Sequence, residues 1–219
     1  MKQKLIFFFL LTFLFSGCYT KTTEEQERVY KMALEHKNYL AAIQAVYNII
    51  AIKPELTQWN DTLLNLYKSQ GAYLQISILA EKRFQTNPSD VANAELLAVA
   101  YEGIGETTKA IEVYDLLFET KQDLTYWYRI AVLQFKAQWY DKCLETLSRI
   151  IGNNKASEVV VTIDYANEQQ DVLLKAVAHN IRGVIYKQQN QTEKAKIEFE
   201  TALNIFPEFI LAQENLKTF

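Results

Sequence analysis

Apolar residues recur along most of this chain at the spacing of amphipathic helices, and a repeat is visible in their positions. Corresponding positions of the repeat are occupied by Ala42, Ile76, Ala110, Cys143 and Ala195. The steps between them are 34, 34, 33 and 52 residues. A proline follows 12 residues after the first, second and fifth position, where it ends a helix. The pattern therefore predicts repeated helical units, with about 18 extra residues before the last unit.

The extra residues contain a segment with a different periodicity. One face of this segment is formed by Val159, Val161, Ile163 and Tyr165. The alternate positions, Val160, Thr162 and Asp164, form the other face, which is typical of a β-strand. Residues 166–168 favour a turn, and residues 169–173 can return as a second strand. Two interpretations stay open, a β-hairpin whose exposed edge pairs with another chain and a long packed loop between two helices.

Further residues recur at fixed places within the repeat. Tyr67 and Gly71 return 34 residues later as Tyr101 and Gly105. The last unit carries matching residues at Gly183, Tyr186, Ala195, Phe199, Ala202 and Pro207. This pattern resembles the tetratricopeptide repeat (TPR), a helix-turn-helix unit that stacks into a solenoid. The resemblance implies an all-α fold, a right-handed helical solenoid of about five units with a short β-hairpin or loop insertion.

The resemblance covers nearly the whole chain. It places repeat units at residues 23–56, 57–90, 91–123, 124–155 and 174–207, with an insertion at 156–173. Residues 208–219 are expected to form a capping helix, because each unit buries its apolar face only against its neighbours. Small residues are needed where helices cross closely, and Cys143 is expected to be a small buried side chain of this kind.

The first 17 residues have the features of a secretion signal. A short basic start precedes an apolar run from Leu5 to Phe15. As a helix this run rises about 16 Å, roughly half of a ~30 Å hydrocarbon core, which is too short for a stable span. Residues 15–18, Phe-Ser-Gly-Cys, resemble the bacterial lipobox, although Phe15 replaces the commoner Leu. That resemblance implies cleavage before Cys18, lipidation of Cys18, and a short tether over residues 18–22.

Charge and composition exclude several classes of function. The formal net charge of −3 gives no electrostatic footprint for nucleic acid. Neither His36 nor His179 lies near cysteines or carboxylates at metal-ligand spacing. The sequence has no nucleophile elbow, glycine-rich phosphate loop or zincin motif. We therefore expect no enzyme activity, no catalytic residues, no metal and no cofactor.

Binding in proteins of the TPR class usually uses the concave face, which is lined by the first helix of each unit. The repeat register places on this groove Asn65, Lys68, Glu95, Val99, Glu102, Tyr128, Val132, Phe135, Asn180, Val184 and Lys187. Tyr128 and Phe135 are the aromatic residues expected to anchor a ligand, although Phe135 can equally be a residue of the core. The groove combines charged and polar side chains with a row of apolar ones. This combination favours a protein or an extended peptide as partner.

These features together predict a non-catalytic scaffold or adaptor for envelope assembly or protein complex formation. The lipoprotein resemblance implies a location as well: an Asp directly after the lipidated cysteine retains lipoproteins at the inner membrane, so Tyr19 favours the outer membrane. Residues 19–23 lack the acidic cluster that marks surface export in some phyla, which favours the periplasmic face over exposure at the cell surface. The alternative is capture of a peptide or glycan ligand for an outer-membrane transporter, to which Trp59, Trp127 and Trp139 could contribute as sugar platforms.

Overall fold

The structure, a computed structural model, describes residues 22–166 and 168–219. The predicted signal peptide, Cys18 and most of the predicted tether lie outside the described residues. Among the helices of the described ranges, none has both the length and the apolar content needed to cross a bilayer.

The described residues form eleven α-helices and one two-stranded antiparallel sheet. The first four helices are α1 (Thr23–Glu35), α2 (Tyr39–Ile52), α3 (Gln58–Ser69) and α4 (Tyr73–Thr86). The next four are α5 (Val91–Gly103), α6 (Thr107–Lys121), α7 (Leu124–Lys136) and α8 (Tyr140–Gly152). A 3-10 turn, Asn154–Ser157, leads into β1 (Val160–Tyr165) and β2 (Glu168–Leu173). The chain ends with α9 (Leu174–Gln188), α10 (Thr192–Ile205) and α11 (Ile210–Leu216).

Several helices begin where a side chain caps the first turn. The side-chain oxygens of Thr22, Asn38 and Asp90 accept hydrogen bonds from the backbone N–H three residues later, at 3.1 to 3.2 Å. Such caps satisfy N–H groups that have no partner within the helix, and each typically contributes about 1 kcal/mol. The local sequence therefore defines the start of α1, α2 and α5.

The turn after the first helix of each predicted unit has the same backbone geometry in all five units. A residue with positive φ ends each of these helices, at Lys37, Gly71, Gly105, Gln138 and Asn190. The N–H of the next residue bonds the carbonyl five residues earlier, as in Asn38 to Ala33 at 2.7 Å and Gln191 to Tyr186 at 2.8 Å. This is the Schellman arrangement, which favours glycine but does not require it. The repeat is therefore maintained by backbone geometry even where glycine is missing.

The chain divides into two compact units, a first that ends at Ala72 and a second, Tyr73–Phe219. The division falls between α3 and α4, within the predicted repeat at residues 57–90. The core of the first unit includes the fully buried Ala42, Val46 and Ile49 of α2. Two side-chain hydrogen bonds support it, between the hydroxyls of Tyr47 and Tyr67 at 2.6 Å and from Asn48 to Gln26 at 2.8 Å.

The second unit has two apolar clusters that follow one another along the chain. The first cluster joins α4 to α7 around Ala98, Ala110 and Leu117. The second cluster joins α7 to α11 and includes Cys143, which is fully buried as expected and donates its Sγ–H to the carbonyl of Ala131 at 3.3 Å. Burial raises the pKa of the Cys143 thiol to about 12, so this thiol is inert at neutral pH.

The insertion is a β-hairpin and not an irregular loop. β1 and β2 pair in antiparallel register from Val160 opposite Leu173 to Tyr165 opposite Glu168. Ala166 lies in the turn with φ of 48°. Val161, Ile163 and Val172 are buried in the same cluster as α9 and α11, so the hairpin packs on helices. Burial on one face gives a two-stranded ribbon the support that it lacks in water.

Candidate peptide-binding cleft

α7 forms one wall of a cleft in the second unit. The carboxylate of Asp123 accepts a hydrogen bond from the N–H of Thr125 at 2.9 Å and so caps the helix. Helical spacing then places five side chains along one side of α7, namely Thr125, Tyr128, Arg129, Val132 and Lys136. The opposite side of α7 is anchored in the core by residues that include Ile130 and Leu133. α7 is thus a rigid wall whose stripe along the cleft combines half-buried apolar and aromatic groups with exposed cationic groups.

The β-hairpin forms the other wall, and polar contacts hold it in place. The side-chain amide of Gln170 donates to the carbonyl of Glu208 at 2.6 Å and accepts from the N–H of Ile210 at 3.1 Å. These two bonds fasten β2 to the start of α11. Across the hairpin, the hydroxyl of Thr162 donates to the Asp171 carboxylate at 2.6 Å. β1 is therefore held at a fixed position beside α7.

Between these walls lies a cleft of about 650 Å³. Its remaining lining comes from the hairpin, α9 and the start of α11, with Val160, Val161, Thr162, Ile163, Asp164, Val177, Asn180, Ile181, Phe209 and Leu211. Volumes of this size accommodate a short peptide segment, and an apolar floor with a few polar groups is typical of ligand sites.

The charges of the cleft lie on its two walls. Arg129 and Lys136 belong to α7, and the Arg129 guanidinium is 3.9 Å from the Glu102 carboxylate of α5. Asp164 of β1 accepts a hydrogen bond from the Gln169 amide at 3.0 Å. Burial raises the pKa of Tyr128, Arg129 acts in the opposite direction, and Asp164 adds to the increase. Tyr128 is therefore a neutral group on the α7 wall, near both Arg129 and Asp164.

Some of the groove residues predicted from the repeat register are in this cleft. Tyr128, Val132 and Asn180 line it. Asn180 is nevertheless buried, and its side-chain carbonyl already accepts a hydrogen bond from Asn215 of α11 at 2.9 Å. Phe135 packs partly into the second apolar cluster, with its ring centroid 6.1 Å from that of Tyr140. Three of the predicted groove residues thus line the cleft, but not every one of their side chains is free for a ligand.

The remaining predicted groove residues lie elsewhere. On α5, Glu95 accepts from the Tyr126 hydroxyl at 2.5 Å, Glu102 accepts from the Tyr114 hydroxyl at 3.1 Å, and Val99 is exposed. On α9, Val184 is half-buried and Lys187 donates to the Thr218 hydroxyl at 2.6 Å.

Two predicted groove residues belong to the first compact unit. Asn65 and Lys68 are exposed on α3. Asn65 lines a separate pocket of about 270 Å³ with Tyr30, Leu34 and Leu66. These two side chains are not part of the cleft between α7 and β1.

The four insertion residues predicted to bind a partner turn mainly towards the protein. Val161 and Ile163 are buried, whereas Val159 and Tyr165 are half-buried. What β1 offers to a partner is therefore its free edge, together with Val160, which is 54% exposed.

Two cationic residues of the cleft, Arg129 and Lys136, are not among the predicted groove residues. Their spacing from Tyr128 and Val132 on one helix is a signal that could have found them.

Within the described residues, no group of three or more His, Cys, Asp or Glu side chains is arranged to hold a metal ion. His179 lies on the side of α9 that contacts α10, where its Nδ1 is 2.7 Å from the Glu198 carboxylate. Arg182 Nη2 contacts the other oxygen of the same carboxylate at 2.8 Å. This buried cluster fixes α9, which carries the floor of the cleft.

A family model of the tetratricopeptide repeat matches residues 176–209, which lie within α9, α10 and the loop that follows. The fold is that of a TPR solenoid. Among solved structures, YrrB, a TPR protein with an unusual peptide-binding site, aligns over 86% of this chain and 88% of its own. Its sequence identity is 14% and its TM-score is 0.56.

MamA proteins give similar matches. One MamA structure covers 84% of this chain and 91% of its own at 15% identity, with a TM-score of 0.54. Another, from Desulfovibrio magneticus RS-1, covers 86% and 97% at 9% identity, with a TM-score of 0.53. No curated protein matches this chain by sequence. The similarity to solved structures therefore concerns the fold.

The Glu198 cluster predicts a specific pH dependence of stability. Burial acts to raise the pKa of the Glu198 carboxyl, but hydrogen bonds from His179 and Arg182 outweigh it and lower that pKa below its ordinary value of 4.5. A carboxyl of this kind stabilises the native state above the ordinary value, and its contribution is lost as the pH falls through the lowered value. Glu198→Gln should therefore cost about 1–3 kcal/mol of unfolding free energy near neutral pH. The cost should shrink towards zero in acid.

Urea unfolding at neutral and acidic pH measures this difference. Glu200→Gln is the matched control, because Glu200 is exposed on the same helix, and it should have no effect at either pH. An equal loss of stability at both pH values in Glu198→Gln would show that the negative charge is not what stabilises α9.

Proposed function

We propose that this protein is a non-catalytic interaction scaffold that binds an extended segment of another protein in the cleft between α7 and β1. The observation that carries this proposal is the combination of an apolar floor, two cations on one wall and a strand edge on the other. The fold is one that holds such surfaces rigid, because each helix is fixed by its neighbours. A rigid, preformed cleft reduces the ordering cost of binding a flexible segment.

We further propose that the scaffold is carried by lipid on Cys18 at the periplasmic face of the outer membrane, where it serves envelope assembly. The support is the sequence of residues 15–18 after an apolar run too short to span a bilayer. Several acyl chains anchor a protein firmly, since each buried methylene contributes ~0.8 kcal/mol. The first helix begins at Thr23, so the tether from Cys18 reaches at most about 18 Å. Such an arrangement would keep the first unit close to the membrane.

A change in the floor of the cleft tests the binding function. The mature chain is used to select binders from a displayed library of linear peptides of about twelve residues. Val132→Glu places a charge in the same apolar lining as Val177, Ile181 and Leu211. Because an unpaired charge is unfavourable there, the affinity for the selected peptides should fall at least about tenfold in a direct binding titration.

The matched control is Ile197→Glu on α10, because Ile197 is an exposed apolar residue outside the cleft. This variant should bind the selected peptides as the wild-type protein does. Selection of no peptide, or equal binding by Val132→Glu, would contradict the proposed function.

Substitution of the lipidation site tests the anchor. Cys18→Ser should abolish incorporation of labelled fatty acid, and it should move the protein from the membrane fraction to the soluble fraction. The other cysteine of the sequence, Cys143, is buried and therefore cannot replace Cys18 as the attachment point. The readouts are metabolic labelling and fractionation of cells. A wild-type protein without fatty acid, or a variant that stays in the membrane fraction, would contradict the lipid anchor.

A further inference from the structure

The hydrogen-bond pattern of the hairpin determines which backbone groups are free. The N–H of Leu174 donates to the carbonyl of Val159 at 2.8 Å, so these two residues form a hydrogen-bonded pair. In an antiparallel ladder such pairs alternate with pairs whose backbone groups point away from each other. The register therefore turns the N–H and C=O groups of Val160, Thr162 and Asp164 away from β2. No described residue supplies a hydrogen-bond partner to these groups.

This free edge is the side of the hairpin that borders the cleft. Every hairpin residue that lines the cleft belongs to β1, and none belongs to β2. β1 is rich in β-branched residues, whereas β2 begins with Glu168, Gln169, Gln170 and Asp171. An edge with unpaired backbone groups and β-branched side chains is a template for another strand. The outer edge of β2, with its polar side chains, does not offer the same surface.

We propose that the partner's segment binds as a third β-strand on the outer edge of β1, within the cleft between β1 and α7. This proposal rests on the proposed function and specifies how the cleft holds its ligand. Main-chain hydrogen bonds to Val160, Thr162 and Asp164 supply affinity that is independent of the partner's side chains. The chemical class of the ligand is therefore an extended peptide. A helical ligand would leave the backbone N–H and C=O groups on the edge of β1 without hydrogen-bond partners.

The lining of the cleft restricts the side chains of this peptide. An added strand directs alternate side chains to opposite faces, one of which meets Val132, Val177 and Ile181. Apolar residues at every second position fit this floor. Arg129 and Lys136 on the α7 wall favour at least one acidic residue in the segment. β1 has six residues, so it can pair with a segment of about five or six residues.

A pair of proline substitutions tests strand addition with a close internal control. Thr162 and Asp171 are directly opposite each other, and their N–H groups point to opposite edges of the hairpin. Both side chains belong to the same hydrogen bond, so either substitution removes it equally. Thr162→Pro also removes an N–H from the edge at the cleft, whereas Asp171→Pro removes one from the far edge. Neither substitution removes a bond of the β1–β2 ladder.

The probe is the set of linear peptides selected on the wild-type protein. We expect Thr162→Pro to weaken their binding at least about tenfold, and Asp171→Pro to change it by less than about twofold. Equal binding by wild type and Thr162→Pro would overturn strand addition even when Val132→Glu abolishes binding. Equal losses in the two proline variants would also overturn it, because the common cause would be damage to the hairpin. Failure to select any peptide would contradict the proposed function itself.

A second measurement leaves the protein unchanged and applies even where a proline variant does not fold. Each backbone amide of one selected peptide is methylated in turn, which removes one N–H at a time. Strand addition predicts that methylation weakens binding at every second position over about five or six residues, since only alternate amides face β1. Tolerance of methylation at every position would overturn the proposal.

Discussion

The close approach of paired helices at small side chains is the constraint on which the rest of this structure depends. Ala42, Ala110, Ala131 and Cys143 are fully buried at such crossings, and the Cys143 thiol is near enough to donate to the Ala131 carbonyl. In the last repeat, a methyl group added at Gly183 would come 2.7 Å from the ring of Phe199. Any larger side chain at these positions must push the helices apart, because protein interiors have few voids. Regular spacing of the helices within each compact unit follows from this constraint.

The same packing explains why an insertion between α8 and α9 creates a site without disturbing the fold. These two helices still contact each other, so the extra residues must leave and return at nearly the same place, which a hairpin does. One face of the hairpin then completes the apolar cluster through Val161, Ile163 and Val172. Its edge stays beside α7 because Gln170 fastens it to the start of α11. The cleft is a consequence of this docking, since one of its walls belongs to the hairpin.

Local patterns in the sequence were sufficient to predict the helix pairs and the strand periodicity of residues 159–165. The recurrence of Gly71 and Gly105 marks two of the five turns, whereas the same backbone geometry at Lys37, Gln138 and Asn190 uses no glycine and leaves no such mark in the sequence. The sequence does not predict the cleft as one site, because neither the repeat register nor the strand periodicity relates the groove to the insertion. The contact that joins them, from Gln170 to Glu208, spans 38 residues and leaves no local pattern. Asn180 was placed on the groove for a similar reason, since its burial depends on where α11 packs.

Amide hydrogen exchange at single residues, with and without a saturating selected peptide, tests the central claim most directly. In the complex, the edge of β1 should receive the peptide as a partner strand in the cleft. The N–H groups of Val160, Thr162 and Asp164 should then exchange at least about tenfold more slowly in the complex. The reason is that the peptide strand accepts a hydrogen bond from each N–H group or covers it from solvent. Exchange at Gln169 and Asp171 on the opposite edge should stay the same. Unchanged exchange along β1 in a fully bound complex would contradict the account.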